Sequence, residues 1–182
     1  MVGSRPLTVT RSELLTDGSD AAFRIFVHAF IVFARRFESV RAYGAGLIGV
    51  TPPQYEILSH LREAMVTGGL TASEIAQRLH CSGPFVTTEA AKLHRAGWVL
   101  RKRDPHDARR VRLTLAPVCE KRFREIAPLQ QEVNNALFAS LTTRQFQILR
   151  EVFPKLADDG DSAIALAEFQ RMRTAQIKKR AS

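Results

Sequence analysis

Phenylalanines fall at positions 23, 26, 30, 33 and 37, and their alternating spacing of three and four places all five rings on one stripe of a helix over roughly residues 20–42. Ile25, Val27, Ile31 and Val32 make much of the remaining surface apolar too. A helix apolar on nearly every side needs more than one packing partner, so the pattern predicts a subunit interface; an ordinary buried helix is the alternative. The C-terminal third repeats the theme, with one stripe at Ile126, Leu129, Val133 and Leu137 and another at Phe146, Leu149, Phe153 and Leu156. Pro154 is expected to kink or end that last helix, Asp158-Asp-Gly-Asp161 to form a turn, and a further helix to run from about residue 162 to 178.

Helix starts announce themselves at Thr51-Pro-Pro-Gln54, Thr71-Ala-Ser-Glu74 and Thr142-Thr-Arg-Gln145, where a threonine three residues ahead of Glu or Gln allows side chain and backbone to cap each other. Between residues 71 and 116 the pattern shortens. Ile75, Ala76 and Leu79 line one short helix, His80-Cys81-Ser82-Gly83 makes a turn, and a second helix follows with Ser82 as N-cap, Pro84 in its first turn and Gly97 closing it. This is a helix-turn-helix pattern. On the second helix Val86, Ala90 and Leu93 share the core side, while Pro84, Thr88, Ala91 and Arg95 point away, flanked by Thr87 and Lys92. Small hydroxyl side chains allow close approach to a DNA groove, and Lys92 and Arg95 can neutralise phosphates. A solvated helix face has the same composition. Trp98–Lys102 and the alternating Val111, Leu113 and Leu115 predict a β-hairpin. Its tip, Arg103-Asp-Pro-His-Asp-Ala-Arg-Arg110, carries Arg109 and Arg110, suited to a narrow minor groove.

Charge sharpens this reading. The 182 residues hold 27 Lys and Arg against 18 Asp and Glu, a net of +9. Residues 71–116 hold nine bases against four acids, a net of +5, and the other 136 residues share the remaining +4. Base concentrated on helix and wing favours duplex DNA over a membrane surface. No apolar run resembles a signal peptide or a transmembrane span, and two cysteines 38 residues apart make neither a disulfide framework nor a zinc pattern. A cytoplasmic protein without cofactors is expected.

The order of a long first helix, Leu70-Thr-Ala-Ser-Glu-Ile-Ala76, a second helix ending at Leu93-His-Arg-Ala-Gly97, then Arg103-Asp-Pro-His-Asp-Ala-Arg109 and an alternating strand, resembles the MarR family of transcriptional regulators over residues 22–157. The resemblance implies a homodimer with interleaved N- and C-terminal helices, reading a palindromic operator with two winged helices, and released by a small effector, often an aromatic acid. Carried over by position, it makes Asp107 the wing residue that braces a neighbouring arginine, Arg109 the minor-groove contact, and Ser82, Pro84, Thr87 and Thr88 groove or phosphate contacts. Gly83 and Phe85 depart from the small polar or basic residues usual in the family, so sequence preference should differ. Ala116 and Cys119 replace a usual Thr and Gly, and a basic C-terminal segment ending Lys178-Lys-Arg180 exceeds the common length.

The expected fold is mainly α with a small β-hairpin wing. A flexible arm (1–19) precedes a dimerisation helix (20–50), a winged helix-turn-helix lobe (51–116) and C-terminal dimerisation helices (117–182). Expected DNA contacts are Ser82, Gly83, Pro84, Thr87, Thr88, Lys92, Arg95, Arg103, Asp107, Arg109 and Arg110. Phe26, His28, Phe30, Phe33, Arg35 and Tyr55 would suit an aromatic anion as effector, although a phenylalanine stripe also serves a core. Cys81 starts the second helix, where the dipole can lower a thiol pKa, or it is simply a small buried hydrophobe. The histidines at 28, 60, 80, 94 and 106 show no metal spacing, and no catalytic set is visible. The competing function is a winged-helix adaptor that binds protein.

Overall fold

The structure, a computed structural model, describes residues 5–104, 107 and 109–180, the last three as backbone only. The chain divides into two units, residues 1–137 and 138–182. In the first unit, helix α1 (Ala21–Ile48) ends where Gly49 turns left-handed at φ 87° and its amide reaches the carbonyls of Ala45 and Gly46. Only the last turns of α1, at Gly44, Ala45 and Ile48, are buried. Its phenylalanine half is open in a single copy of the chain: Phe26 is 57% exposed and Ile25 70%. That half is therefore not an ordinary core helix of this chain.

Helix α2 (Pro52–Glu63) and helix α3 (Ala72–Arg78) both begin with the reciprocal caps expected at Thr51 and Thr71. Their apolar sides, Ile57, Leu58, Leu61 and Ile75, meet Val86, Ala90 and Leu93 of helix α4 (Gly83–Arg95). Between α3 and α4, His80 takes a left-handed φ of 48° while Cys81 N–H bonds to Ala76 O at 3.0 Å. Strands β2 (Val99–Arg103) and β3 (Val111–Leu115) pair antiparallel, with Val99 opposite Leu115 and Arg103 opposite Val111. The sequence pattern missed a third strand, β1 (Leu70–Thr71), which pairs with β3 and makes the sheet order β1-β3-β2. Two residues are too few for alternation to register. Helix α5 (Pro117–Leu137) closes this core with Cys119, Phe123 and Ile126.

The sequence predicts an unpatterned arm before α1, yet Asp17 and Gly18 form a tight turn that pairs Thr16 with Ser19. Asp20 is buried, accepts bonds from Thr8 N and Oγ1 at 2.7 and 2.6 Å, and pairs with Arg24. Residues 1–4 lie outside the described residues.

The second unit is a single helix, α6 (Thr143–Arg180), capped by Thr142 and Gln145. Pro154, expected to kink or end the helix, does not end it, and Asp158–Asp161, expected as a turn, is helical. At 100° per residue Phe146, Leu149, Phe153, Leu156, Gly160 and Ile164 lie within about 80° of arc, with Asp158 on the far side. The apolar stripe thus passes through the acidic run in phase, and Gly160 does not take the left-handed conformation of a turn. The side chains of Lys178, Lys179 and Arg180 fall outside the described residues. No described helix is long and apolar enough to cross a membrane.

Candidate nucleic-acid interface

Helix α4 is set by its own cap and by its neighbours. Ser82 Oγ accepts from Phe85 N at 3.4 Å, and Pro84 sits in the first turn, where no amide donor is missed. Val86, Ala90 and Leu93 anchor the inner side, leaving Pro84, Phe85, Thr87, Thr88 and Arg95 exposed and Gly83 half-buried. The inner side also holds Glu89, a carboxylate only 8% exposed, which sequence reasoning did not single out. Its Oε2 accepts from Gln54 Nε2 at 2.9 Å, and its Oε1 takes Lys92 Nζ at 2.6 Å. These bonds, the lysine first, hold its pKa below the ordinary carboxylate range. Lys92 thus pairs with Glu89 on the flank of α4, its side chain about half exposed.

The wing is built from the hairpin and braced by acids. Asp104 N bonds to Arg110 O at 3.0 Å and closes the loop. The buried Asp104 carboxylate accepts from Arg112 Nε at 2.7 Å and from Asp107 N at 3.3 Å. Asp107 Oδ1 in turn accepts from the Arg109 amide at 3.0 Å and from its Nε at 3.2 Å, while the Arg109 side chain is 92% exposed. The structure thus brings together the aspartate and arginine that the family pattern pairs. Pro105, His106 and Ala108, also in the predicted loop, lie outside the described residues.

Glu74 ties this wing to α3. It closes the Thr71 cap and reaches Arg110 at 3.4 Å and Arg112 at 3.8 Å. The Thr71 amide, and then the two arginines, keep its carboxyl low. Arg112 also donates to Gly69 O at 2.5 Å. Gly69 is required there: at φ +90° a Cβ would stand 2.1 Å from Leu113 O. Arg103 ends β2 and, with Lys102, Arg112 and Met65, lines a cleft of about 300 Å³ on the hairpin.

The expected effector residues do not form one site in a single copy of the chain. Phe26, His28, Phe30 and Arg35 are exposed on α1, and Phe33 is half-buried there. Tyr55 is buried elsewhere, under the Arg41 guanidinium at 5.0 Å and against the Phe123 ring at 5.9 Å, with its hydroxyl bonded to Gln130. It faces Gly44, which lies about 16 to 27 Å along the helix from Phe33 and Phe26 at 1.5 Å per residue. Tyr55 is thus a core residue, and burial raises its phenol pKa. For Cys81 the small-hydrophobe alternative fits better: burial, and then Glu56, push its thiol up rather than down.

Comparison with known proteins follows the same outline. The sequence pattern of the MarR family matches residues 50–111. An uncharacterized HTH-type transcriptional regulator of Bacillus subtilis, YsmB, is 29% identical over 107 residues, covering 59% of this chain and 71% of its own. The HTH-type transcriptional repressor MdtR of the same organism is 26% identical over 114 residues, covering 63% of this chain and 72% of its own. The Staphylococcus aureus MepR–DNA complex shares the fold, with a TM-score of 0.60 at 20% identity over 74% of this chain and 97% of that one. The capped helix-turn-helix, the braced wing and the sequence match fall on the same residues, and over residues 50–111 the chain is similar to the MarR family.

Proposed function

We propose that this chain is a DNA-binding transcriptional regulator, not an enzyme, acting as a homodimer and repressing from a palindromic operator. The observation that carries this reading is the pairing of an outward-facing α4 with an exposed Arg109 held in place by Asp107. Each α4 enters a major groove, the wing arginines lie on the neighbouring minor groove, and half-sites stand about one helical turn apart. Repression is supported by the kinship to MdtR, named a repressor.

A second copy of the chain covers the apolar faces that a single copy leaves open. Phe26, Ile31 and Val32 on α1 and Phe146, Phe153 and Leu156 on α6 are each 42% to 57% exposed. Release by a small aromatic or anionic effector follows from the family resemblance, with the two lobes changing spacing because the effector favours one conformation. A protein-binding adaptor draws on the exposed Phe85, but the exposed Arg95, Arg103, Arg109 and Arg110 of α4 and the wing suit a polyanion.

The test is a titration of DNA from upstream of the coding gene. Binding must exceed that to random DNA and weaken steeply with salt. Equal affinity for random DNA removes the regulator reading, and sedimentation as a monomer at micromolar concentration removes the dimer.

A further inference from the structure

The first two turns of α4 offer DNA a different chemistry from the hydroxyl-rich face read in the sequence. Thr87 Oγ1 donates to Gly83 O at 2.9 Å, and Thr88 Oγ1 donates to Pro84 O at 3.0 Å. A threonine hydroxyl has one proton, and here each is given to the helix's own backbone. What faces outward is a methyl group and an oxygen that can only accept. Pro84 adds an apolar ring without a donor, and the Phe85 ring is 41% exposed beside it. From Gly83 to Glu89 no side chain carries an amide, ammonium or guanidinium group.

Guanine shows two acceptors in the major groove, N7 and O6, and is read by donors such as arginine. An A·T pair shows the adenine N6 donor and the thymine C5-methyl. Acceptor oxygens can take a proton from adenine N6 or cytosine N4 alike, but only the thymine methyl gives the methyl groups and the aromatic ring an apolar partner, and guanine finds no donor here. We infer that the N-terminal half of α4 selects A·T pairs by packing on thymine methyl groups, with Phe85 as the specificity-determining side chain. The inference rests on α4 being the recognition helix and names the sequence class it takes. Phe85 stands in the first turn, the part of a recognition helix that meets base edges. Its amide is fixed by Ser82 Oγ, so the ring is presented from a capped, regular turn. Arg95, about 15 Å further along the helix, is left for phosphates.

The experiment uses the full chain and the upstream fragment it protects from nuclease, with every thymine of the half-sites replaced by deoxyuridine. This removes the methyl groups and leaves every base-pair hydrogen bond. The wild type should lose roughly three- to fivefold in affinity for each contacted methyl, the worth of one buried methylene. Phe85→Ala, checked by its melting temperature to be folded, should lose most of the difference between the two DNAs and bind the thymine form more weakly than the wild type does. Phe85→Leu should keep part of the difference. A wild type that prefers its fragment over random DNA yet binds the thymine and uracil forms alike overturns the inference alone. A protein with no preference for any upstream fragment overturns the reading of α4 as a recognition helix, and the inference falls with it.

Discussion

The Asp107 carboxylate holds Arg109 twice, through the backbone amide at 3.0 Å and through Nε at 3.2 Å. The guanidinium is thereby oriented before any DNA arrives, which lowers the ordering cost of the contact. Arg109→Ala should reduce operator affinity by roughly tenfold or more, and Asp107→Ala by less, because the charge survives but its aim does not. Fluorescence anisotropy at fixed salt checks both. Unchanged affinity in Arg109→Ala contradicts the wing assignment.

Gly69 has no room for a side chain, since an added Cβ meets Leu113 O at 2.1 Å and Thr114 Cγ2 at 2.6 Å. Gly69→Ala should destabilise the first unit by about 2 to 4 kcal/mol through strain at positive φ and a displaced β1-β3 pairing. Gly68→Ala, with φ +80° but nothing within 4 Å, should cost less. Urea denaturation of the two variants distinguishes close approach from backbone conformation.

Asp20 anchors the segment before α1, and its carboxyl is lowered to about 2, first by the Thr8 hydroxyl and amide and then by Arg24. A depressed carboxylate stabilises the folded form fully above its ordinary pKa near 3.8, and that contribution fades as pH falls toward 2. The Thr8 amide should therefore be protected from hydrogen exchange at pH 5 and lose that protection near pH 2. Asp20→Asn should show weakened protection at both. Protection that persists unchanged in Asp20→Asn contradicts the anchor.

Both thiols should be sluggish nucleophiles at neutral pH. Burial pushes Cys119 up to about 12 and raises Cys81 as well. Iodoacetamide should label Cys119 only on unfolding and Cys81 slowly, and mild peroxide should leave DNA affinity unchanged. Rapid labelling of Cys81 in the folded protein contradicts this.

Gly160 lies inside a continuous helix with nothing within 4 Å of an added Cβ. Gly160→Ala should stabilise α6 by about 0.5 to 1 kcal/mol, as alanine does in helix interiors. A turn with left-handed glycine would instead lose stability on the same change. Circular dichroism melting gives the sign.

How much of this was legible follows the range of each interaction. The caps at Thr51, Thr71 and Thr142 span three residues, so a short window contains the whole device. The apolar side of α4 at Val86, Ala90 and Leu93 came from periodicity for the same reason. Glu89 was invisible because its partner Gln54 is 35 residues away, and a carboxylate on an inner face has no local signature. Asp158–Asp161 was misread because each residue was weighed as a breaker, although the phase of the apolar stripe passes through all four. Tyr55 was placed beside the phenylalanine stripe because sequence does not show how far along α1 a residue of α2 docks. Sequence placed Thr87 and Thr88 on the groove side but could not show that the carbonyl four residues back takes their hydroxyl protons.

Gln54 joins two helices with one carboxamide. Its Oε1 accepts the Thr51 amide at 3.2 Å and so begins α2, while its Nε2 donates to Glu89 and so steadies α4. The position asks for a neutral group that gives at one end and receives at the other, at glutamine's length. Glutamate there would set two anions face to face, lysine would leave the cap without its acceptor, and asparagine would fall one carbon short. A single amide dipole therefore ties the first turn of α2 to the inner side of α4.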